Sequence, residues 1–533
     1  MIFLIILVVL KKKCIFAKKI RAMKPVFSNL VRVCSPERYD VFKRLLPLWV
    51  SVLLLMPTLS AQSSWESQVE RYGGGHTGRS LIVRTASNNS VVMCSRTLQW
   101  TGTHTFMRRG LTGGTDGFTC DLSALLTDST STFVVKDMYI FKETCYFCGY
   151  ISVKECEPIY DNEGNVVYTG WYSQGVVGLF DLRDLNMSTV ALQLLRVGEV
   201  DSLTHLVVHR DDQTRGPLIM AVGRSSMYSP TSCVVELQPY SGPLPSSPYA
   251  WTKRIVQPTC ADEEYFTDII LTDSYVEVVS KLPYYGGVED PNHYIFRLHE
   301  TKRDGFYTMS ANPGIPASVA QYSVHGPGVF IGVHQADEPI SLCTMYGDRF
   351  CVTYGEEGYN GTGGPIVLRM NSSLTMEKAL WMDYHRHCHV RDVAYLKDLD
   401  VVAILTLEDD YWPGGIVRLP KWTAANDLDP MYWQGKRLWS IDCIMGQKVV
   451  AGGTYADNTM FQTIYDPGLY YINFDTLCVD THGDLFELFS ESQPTIMDCG
   501  WIILEDWNIT GQIFDIPVRV YNSYSDCLVD EDQ

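Results

Sequence analysis

The chain has 533 residues, of which 46% are hydrophobic and 20% charged, a composition typical of a globular protein. Residues 1–61 hold 11 Lys or Arg against 2 Asp or Glu, so the remaining chain carries 32 basic and 59 acidic residues, a net charge of −27. Nucleic acids and anionic lipids need basic surfaces, so this acidic excess argues against both as partners.

The first 61 residues predict a targeting segment. Residues 44–62 read RLLPLWVSVLLLMPTLSAQ, with basic residues before an apolar run and small residues after it. This order is typical of a secretory signal peptide cut after Ala61, preceded by an extension from an early start codon. The alternative is an anchor at residues 45–60, although that run is short for a span of about 20 residues and contains Pro57. We therefore expect a secreted, periplasmic or cell-surface protein with no membrane span after cleavage.

After this segment the chain predicts repeated β-strands. Residues 62–79 are polar and glycine-rich and are interpreted as a linker. A strand–turn–strand pair begins at Leu81, and residues 133–185 then read as two apolar strands joined by a charged turn, with a third strand after a glycine-rich loop. The same three-strand pattern recurs at 204–238, 267–298, 340–370, 390–420 and 439–474.

Four aspartates recur at or near the first strand of a repeat. Asp137, Asp268, Asp392 and Asp442 are separated by 131, 124 and 50 residues, which correspond to two, two and one repeats. The implied period of about 50 to 65 residues lies near that of kelch repeats, although neither the kelch marks nor the WD dipeptide recur in register. We expect these aspartates to tie neighbouring repeats together through hydrogen bonds to turn backbone.

The repeats predict an all-β fold. A small antiparallel sheet cannot bury both faces alone, whereas a closed ring of such sheets buries them all. We expect a β-propeller at residues 80–520, with seven blades as the best estimate within a range of six to eight, followed by an acidic tail at 521–533. The weaker strand pattern after Cys478, which contains DCGWIILE and ITGQIFDIPV, is a candidate for completing the first blade. The alternative is a pair of β-sandwiches.

The loops before the third strands are the predicted ligand-binding face. They combine acidic groups, aromatic residues and Gly, and a ring places them all on one side. Aromatic faces beside carboxylates suit sugars or peptide side chains. The predicted contact residues are Trp171, Tyr172, Tyr284, Tyr285, Tyr411 and Trp412. The alternative is that these aromatic residues pack on neighbouring blades in solvated loops.

Histidines and cysteines give two further hypotheses. On an extended strand, one face would carry His385, His387 and His389, which suggests a zinc or copper site. Residues on the same face of a strand are about 7 Å apart, too far for all three to reach one ion without a bend. The favoured interpretation is therefore a polar outer strand, and no cofactor is expected. Cys343 and Cys351 flank a turn and predict a disulfide across a hairpin. The CxxC of Cys145 and Cys148 lies in a strand-like run, unlike the helix-opening redox motif.

The sequence favours an exported binding or scaffold module outside the cytoplasm, with a protein or glycan ligand. The alternative is a glycan-processing enzyme, a hydrolase or lyase, with a central carboxylate pocket. No motif of a hydrolase elbow, a zinc protease or a nucleotide-binding loop is present, so binding is favoured over catalysis and no catalytic residue is named.

Overall fold

A computed structural model describes the protein at residues 65–68, 78–97, 104–109, 115–116, 132–153, 159–160, 166–168, 172–183, 191–195, 200–209, 217–225, 232–239, 251–258, 265–283, 294–303, 315–322, 324–326, 329–331, 340–357, 363–383, 389–408, 412–418, 431–434, 438–458, 463–472, 484–488 and 495–509. The chain divides into two units, Met1–Trp65 with Ile472–Cys478, and Glu66–Tyr471 with Val479–Gln533. Apart from Trp65 and Ile472, the described residues belong to the second unit. None of them forms a helix long and apolar enough to cross a bilayer.

The described elements are β-strands. In the first half of the chain they are β1 (Trp65–Gln68), β2 (Gly78–Thr85), β3 (Val91–Thr97), β4 (His104–Arg109), β5 (Thr115–Asp116), β6 (Thr132–Phe141), β7 (Thr144–Val153), β8 (Ile159–Tyr160), β9 (Val166–Tyr168), β10 (Tyr172–Asp181), β11 (Ala191–Leu194), β12 (Ser202–His209), β13 (Leu218–Arg224), β14 (Ser232–Pro239), β15 (Trp251–Pro258), β16 (Tyr265–Leu271) and β17 (Tyr275–Pro283). They continue as β18 (Tyr294–Lys302), β19 (Ile315–Tyr322), β20 (Val324–Gly326), β21 (Val329–Ile331), β22 (Ser341–Thr344), β23 (Phe350–Glu357), β24 (Gly363–Met370), β25 (Met376–Asp383), β26 (His389–Leu396), β27 (Val401–Glu408), β28 (Trp412–Arg418), β29 (Met431–Gln434), β30 (Leu438–Ile444), β31 (Lys448–Asn458), β32 (Thr463–Ile472), β33 (Asp484–Leu488) and β34 (Thr495–Ile509).

The strands form seven repeating groups, numbered here as sheets 1 to 7. Sheet 1 has the order β2–β3–β4–β5, sheet 2 β6–β7–β10–β11, sheet 3 β12–β13–β14–β15 and sheet 4 β16–β17–β18–β19. Sheet 5 has the order β22–β23–β24–β25–β33, sheet 6 β26–β27–β28–β29 and sheet 7 β30–β31–β32–β1. β34 is antiparallel to both β15 and β19, so it joins sheets 3 and 4 into one nine-stranded sheet. Two short hairpins, β8–β9 and β20–β21, lie outside these groups.

Apolar side chains fill the spaces between consecutive sheets. Five clusters of buried residues lie, in turn, between sheets 1 and 2, 2 and 3, 3 and 4, 4 and 5, and 5 and 6. β13 is buried along both faces from Leu218 to Gly223 because another sheet covers each side. Such strands have continuous apolar sequences instead of the alternation of a half-exposed strand. The apolar run in β13 is therefore a buried strand interior.

The first strands of the seven sheets contact one another in a circuit. β2 contacts β6, β6 contacts β12, and the series continues through β16, β22 and β26 to β30, which contacts β2. Most of these strands carry a bulge, in which one residue lacks a partner across the first strand pair. The bulge residues include Lys136 in β6, Thr204 in β12, Thr267 in β16, Arg391 in β26 and Trp439 in β30.

Glycines on the second strand make room for two of these bulges. A Cβ atom on Gly149 of β7 would lie 1.9 Å from the Val134 carbonyl oxygen. A Cβ atom on Gly223 of β13 would lie 2.3 Å from the Ser202 carbonyl oxygen. These glycines therefore allow the bulged first strand to approach the second strand closely.

The all-β fold class is confirmed, and every strand of the predicted three-strand patterns is present. Two features differ from the predictions. The predicted linker at 62–79 contains β1 and the start of β2, and the C-terminal strands β33 and β34 add to sheets 3, 4 and 5 instead of sheet 1. The predicted signal segment at 1–61 and acidic tail at 521–533 lie outside the described residues.

Candidate functional site

The seven first strands line one cavity of about 270 Å³. Its wall includes residues from β2, β6, β12, β16, β22, β26 and β30, so each sheet contributes to it. The wall is rich in charge, and it contains all four of the repeated aspartates. The sequence pattern thus located residues that the fold brings to one place.

Each repeated aspartate joins its own first strand to the next one. Asp268 accepts a hydrogen bond from Leu342 N at 2.7 Å, and Asp392 accepts one from Ile441 N at 2.9 Å. The other two connections run from Asp137 to Leu206 N at 3.2 Å and from Asp442 to Thr85 N at 2.6 Å. The predicted role in tying repeats together is confirmed, but the donors lie on strands and not on turns, because adjacent first strands run close enough for a short carboxylate to reach.

Arg84 of β2 is the cation at the centre of this arrangement. Its guanidinium pairs with Asp137 and donates hydrogen bonds to Met138 O at 2.9 Å and Ser440 Oγ at 3.2 Å. Asp392 lies 3.9 Å away. Burial alone would lower the pKa of Arg84, but the surrounding aspartates outweigh it and raise the pKa above its usual value. Arg84 therefore stays charged and offsets the buried carboxylates.

Two carboxyls in the cavity wall have raised pKa values. Burial raises the pKa of Asp268 to about 6, although His205 and the Leu342 amide oppose the change. Burial likewise raises the pKa of Asp442 to about 6, against the opposing charge of Arg84. Groups that titrate near neutral pH are suited to proton transfer. Both carboxyls nevertheless already accept two backbone hydrogen bonds each, which is the pattern of a structural aspartate.

Sequence reasoning missed several residues of the cavity wall. In five of the first strands the residue directly after the bulge is polar. It is an aspartate in three strands, His205 in β12 and Ser440 in β30. Ser440 makes the equivalent connection, as its Oγ accepts a hydrogen bond from Val83 N at 3.4 Å. Asp442 lies two residues further along its strand. A repeat alignment that allowed any polar residue at this position would have found His205 and Ser440.

The predicted loop-face residues lie mostly outside the described residues. Trp171, Tyr284, Tyr285 and Tyr411 are among those not described. Tyr172 and Trp412 are the first residues of β10 and β28, the third strands of sheets 2 and 6. Both residues therefore begin corresponding strands, and the ligand-binding prediction itself stays a prediction.

The metal prediction also falls largely outside the described residues. His385 and His387 are not described, and His389 is the first residue of β26. Among the residues that are described, no three His, Cys, Asp or Glu side chains are arranged to hold a metal ion.

Six cysteines whose side chains are described are thiols: Cys94, Cys145, Cys148, Cys343, Cys351 and Cys443. Cys343 and Cys351 are direct partners across β22 and β23, as the hairpin predicted, and their hydrogen bond, followed by burial, raises the pKa of Cys343. The disulfide between them stays a prediction. Cys145 and Cys148 are both buried, and burial raises the pKa of each thiol well above its usual value. Such thiols are poor nucleophiles, in agreement with the argument against redox chemistry.

A second cluster of acidic groups lies between sheets 4 and 5. Glu277 and Glu300 are direct partners across β17 and β18 and are 0% and 8% exposed. Burial, followed by the Glu300 carboxyl, raises the pKa of Glu277 well above its usual value, and burial raises that of Glu300 to about 7. Neither Glu277 oxygen meets a hydrogen-bond donor among the described residues. Because a carboxylate only accepts hydrogen bonds, the two groups satisfy each other only when one is protonated.

No known protein family matches the sequence, and no curated protein sequence matches it. Among solved structures, a protein of unknown function from Dyadobacter fermentans is similar at 11% identity and a TM-score of 0.36, over 78% of this chain and 100% of that one. The extracellular domains 1–2 of Drosophila Semaphorin 1b are similar at 8% identity and a TM-score of 0.38, over 75% and 87% of the two chains. A complex of Drosophila Plexin A with Semaphorin 1b gives 8% identity and a TM-score of 0.37 with the same coverage.

Proposed function

We propose that the chain is an exported, seven-bladed β-propeller that acts as a binding or scaffold module outside the cytoplasm. Each of sheets 1 to 7 is one blade, and the circuit of first strands is the inner wall of the ring. The sequence of residues 1–61 supports export by a cleaved signal. Electron-microscopy averages viewed along the ring axis test the blade number, and six or eight blades would contradict it.

The bonding of the cavity carboxylates is the observation that carries the binding role. All four repeated aspartates accept backbone hydrogen bonds from the next first strand. Arg84 is occupied by Asp137, Met138 and Ser440. A catalytic acid or base needs a carboxyl that can exchange a proton with substrate, whereas these groups hold the ring together. The ligand, a protein or a glycan, is accordingly assigned to the loops before the third strands.

One observation favours the alternative of a glycan-processing enzyme. The cavity holds four carboxyls, and burial raises the pKa of two of them to about 6. Glycoside hydrolysis requires a general acid, and a raised pKa keeps a carboxyl protonated closer to neutral pH. The test is whether the protein releases reducing ends from cell-surface glycans. Release by the native protein that is abolished in Asp268→Asn and Asp442→Asn would establish this alternative and refute the binding-only role.

The loop-face hypothesis is tested with the mature chain, residues 62–533. The purified, tagged protein is incubated with surface extracts of the cells that produce it, and bound partners are identified by mass spectrometry. The affinity is then measured for the protein or glycan recovered. The double variant Tyr411→Ala/Trp412→Ala is expected to bind at least about tenfold more weakly, as for the loss of central aromatic contacts. A retained affinity in this variant contradicts the loop-face assignment.

Tyr346→Ala is the matched control. Tyr346 is an aromatic residue 47% exposed in the turn between β22 and β23. In an antiparallel sheet this turn lies at the end opposite the loop between the second and third strands. Its removal is therefore expected to leave the affinity unchanged. Equal losses in both variants would indicate a nonspecific effect of aromatic removal.

A further inference from the structure

We propose that the ligand of the loop face is an acidic glycan, in which one sugar carries a carboxylate that Arg224 binds. This assignment rests on the loop-face hypothesis and adds the chemistry of the ligand. Arg224 is the last residue of β13, directly before the loop that leads to β14, the third strand of sheet 3. It therefore lies at the end of sheet 3 from which the predicted ligand-binding loop extends.

The backbone of Arg224 is held on both sides. In the register of sheet 3 it pairs with Ser202 of β12 and with Ser232 of β14. Its carbonyl oxygen also accepts a hydrogen bond from Asp201 N at 2.8 Å. The cation therefore projects from a paired strand, which positions a binding group more precisely than a loop does.

Tyr265 of the neighbouring sheet orients the Arg224 side chain. The guanidinium carbon lies 4.8 Å from the centre of the Tyr265 ring, which is a cation–π contact. Tyr265 is half-buried at the start of β16, whereas Arg224 is exposed. Contact on one face leaves the N–H edge of the guanidinium for a ligand, and this edge matches the two oxygens of a carboxylate. Among the described residues, no carboxylate pairs with this guanidinium.

The charge at Arg224 differs from that at the corresponding positions of other sheets. The second strand ends at Glu357 in sheet 5 and at Glu408 in sheet 6, and none of the other described second strands ends in a basic residue. Residues 224–232 read RSSMYSPTS, with one basic and no acidic residue, whereas the corresponding loops of sheets 2, 4 and 6 contain Asp or Glu. Sheet 3 is therefore the part of the loop face that repels a negative charge least.

A single cation among acidic loops favours a ligand with a single carboxylate. An acidic peptide with several carboxylates would be repelled by Glu357, Glu408 and the rest of a chain whose formal net charge is −18. A glycan with one sugar acid brings one carboxylate, and its hydroxyl groups donate hydrogen bonds to acidic side chains. Tyr284 and Tyr285 directly follow β17, the strand next to β16, and their rings suit stacking on neutral sugars.

The experiment is calorimetric titration of the mature chain with two oligosaccharides that carry one carboxylate, sialyllactose and glucuronosyl-xylose. The same molecules with the carboxyl reduced to an alcohol are the matched neutral ligands. We expect at least one acid to bind about tenfold more tightly than its reduced form, and this difference to shrink as salt rises. Equal binding of acidic and reduced forms, or no binding by either acid, overturns the proposal. Tighter binding of a short peptide with blocked termini and one glutamate overturns the assignment to a glycan.

Variants test the two residues. Arg224→Ala is expected to weaken binding of the acid by about tenfold or more and to leave the reduced form unaffected. Arg224→Lys keeps the charge but loses the planar fork, so an intermediate affinity is expected. Tyr265→Phe keeps the ring and should bind normally, whereas Tyr265→Leu loses the cation–π contact and should bind several times more weakly. Unchanged affinity in Arg224→Ala contradicts the site.

Arg183→Ala is the matched control. Arg183 is an exposed arginine that follows β10 and pairs with Asp181, at the end of sheet 2 opposite the loop face. Its removal is expected to leave the affinity unchanged, and a loss equal to that of Arg224→Ala would show that only the overall charge matters, against the proposal.

The variants also separate this assignment from the loop-face hypothesis. The ligand recovered from the cell surface is titrated into Arg224→Ala and into Tyr411→Ala/Trp412→Ala. If only the aromatic double variant binds more weakly, the loop face stands and the acidic glycan is refuted. If neither variant binds more weakly, both are refuted.

Discussion

Arg84 shows how one side chain offsets part of the negative charge on the cavity wall. It pairs with Asp137 and hydrogen-bonds Met138 and Ser440, which belong to the first strands of sheets 2 and 7. Arg84→Met keeps most of the side-chain volume but leaves Asp137 buried without a counter-charge. We expect the free energy of unfolding in urea to fall by about 3–5 kcal/mol.

A second substitution separates the lost charge from lost contacts. Arg84→Met/Asp137→Asn removes the unpaired carboxylate, while the amide oxygen still accepts the hydrogen bond from Leu206 N. We expect this double variant to recover part of the lost stability. A double variant no more stable than Arg84→Met would show that burial of charge is not the cause.

Glu277 and Glu300 give the protein a predicted dependence on pH. Folding raises the pKa of Glu300 from 4.5 to about 7, and that of Glu277 also rises. The folded state thus holds protons that the unfolded chain releases, so the free energy of unfolding falls as pH rises from about 4.5 through about 7. Glu277→Gln removes one ionisation and supplies an amide donor to Glu300. We expect it to be more stable than the native protein by about 1–2 kcal/mol near pH 8, a gain that disappears near pH 4.

Glu377→Gln is the control for this pair, because it should show the opposite effect. Burial would raise the pKa of Glu377, but hydrogen bonds from Arg369 at 2.6 Å and Arg349 at 3.1 Å outweigh it and lower the pKa. Its charged form therefore stabilises the fold above the usual pKa of a Glu, and the amide is expected to reduce stability near pH 8. Urea titrations of both variants at several pH values measure how the free energy of unfolding of each depends on pH. A stability loss near pH 8 in Glu277→Gln would contradict the shared-proton interpretation.

At the scale of the element, local sequence predicted the first three strands of sheets 2 to 7 and the first two of sheet 1, but not the partners of the remaining strands. In these sheets a turn joins the first two strands and a loop leads to the third, so adjacent sequence encodes all three. β1, β33 and β34 instead join sheets formed by distant parts of the chain, as when Ile509 of β34 pairs with Trp251 of β15. The local sequence of a strand carries no signal for a partner so far away in the chain, so sequence alone could not assign these pairings.

The bulge is the element that the period-two pattern could not predict. Because one extra residue shifts the side chains that follow, the bulge decides which of them face the cavity. The recurrent glycine in the second strand is its only visible mark in the sequence, as with Gly149 and Gly223. Asp137 was found because carboxylates recur there, whereas Arg84 was not, since its partner Ser440 is 356 residues away.

Gly149→Ala tests this explanation of the glycine. The added Cβ would lie 1.9 Å from a backbone oxygen and 3.1 Å from the Val135 Cα, so the strands must separate. We expect the free energy of unfolding to fall by about 2 kcal/mol or more. Gly347→Ala is the control, because Gly347 has a φ of +65° but open space around it, and about 1 kcal/mol is expected from backbone strain alone. A smaller loss in Gly149→Ala than in Gly347→Ala contradicts the close-approach argument.

At the scale of the whole molecule, the proposed ring predicts that every sheet depends on every other. The connection from β30 to β2 joins the last sheet to the first, which are far apart in the chain. In an open stack, loss of this connection would affect only the two end sheets. In a closed ring, loss of the β30–β2 connection would destabilise all the sheets together.

Asp442→Ala distinguishes these two outcomes. The variant leaves Thr85 N and Cys443 N without the carboxylate that accepts from them at 2.6 and 2.7 Å, which is expected to cost about 1–3 kcal/mol. If the ring unfolds cooperatively, hydrogen exchange measured by mass spectrometry should accelerate in sheets 3 and 4 by the same factor as in sheets 1 and 7. Asp398→Ala is the control and should leave exchange nearly unchanged, because it removes only an exposed hydrogen bond from Gln447 Nε2 at 3.3 Å. Acceleration limited to sheets 1 and 7 would mean that the circuit is not a mechanically closed ring, because the remaining sheets would then be stable without that connection.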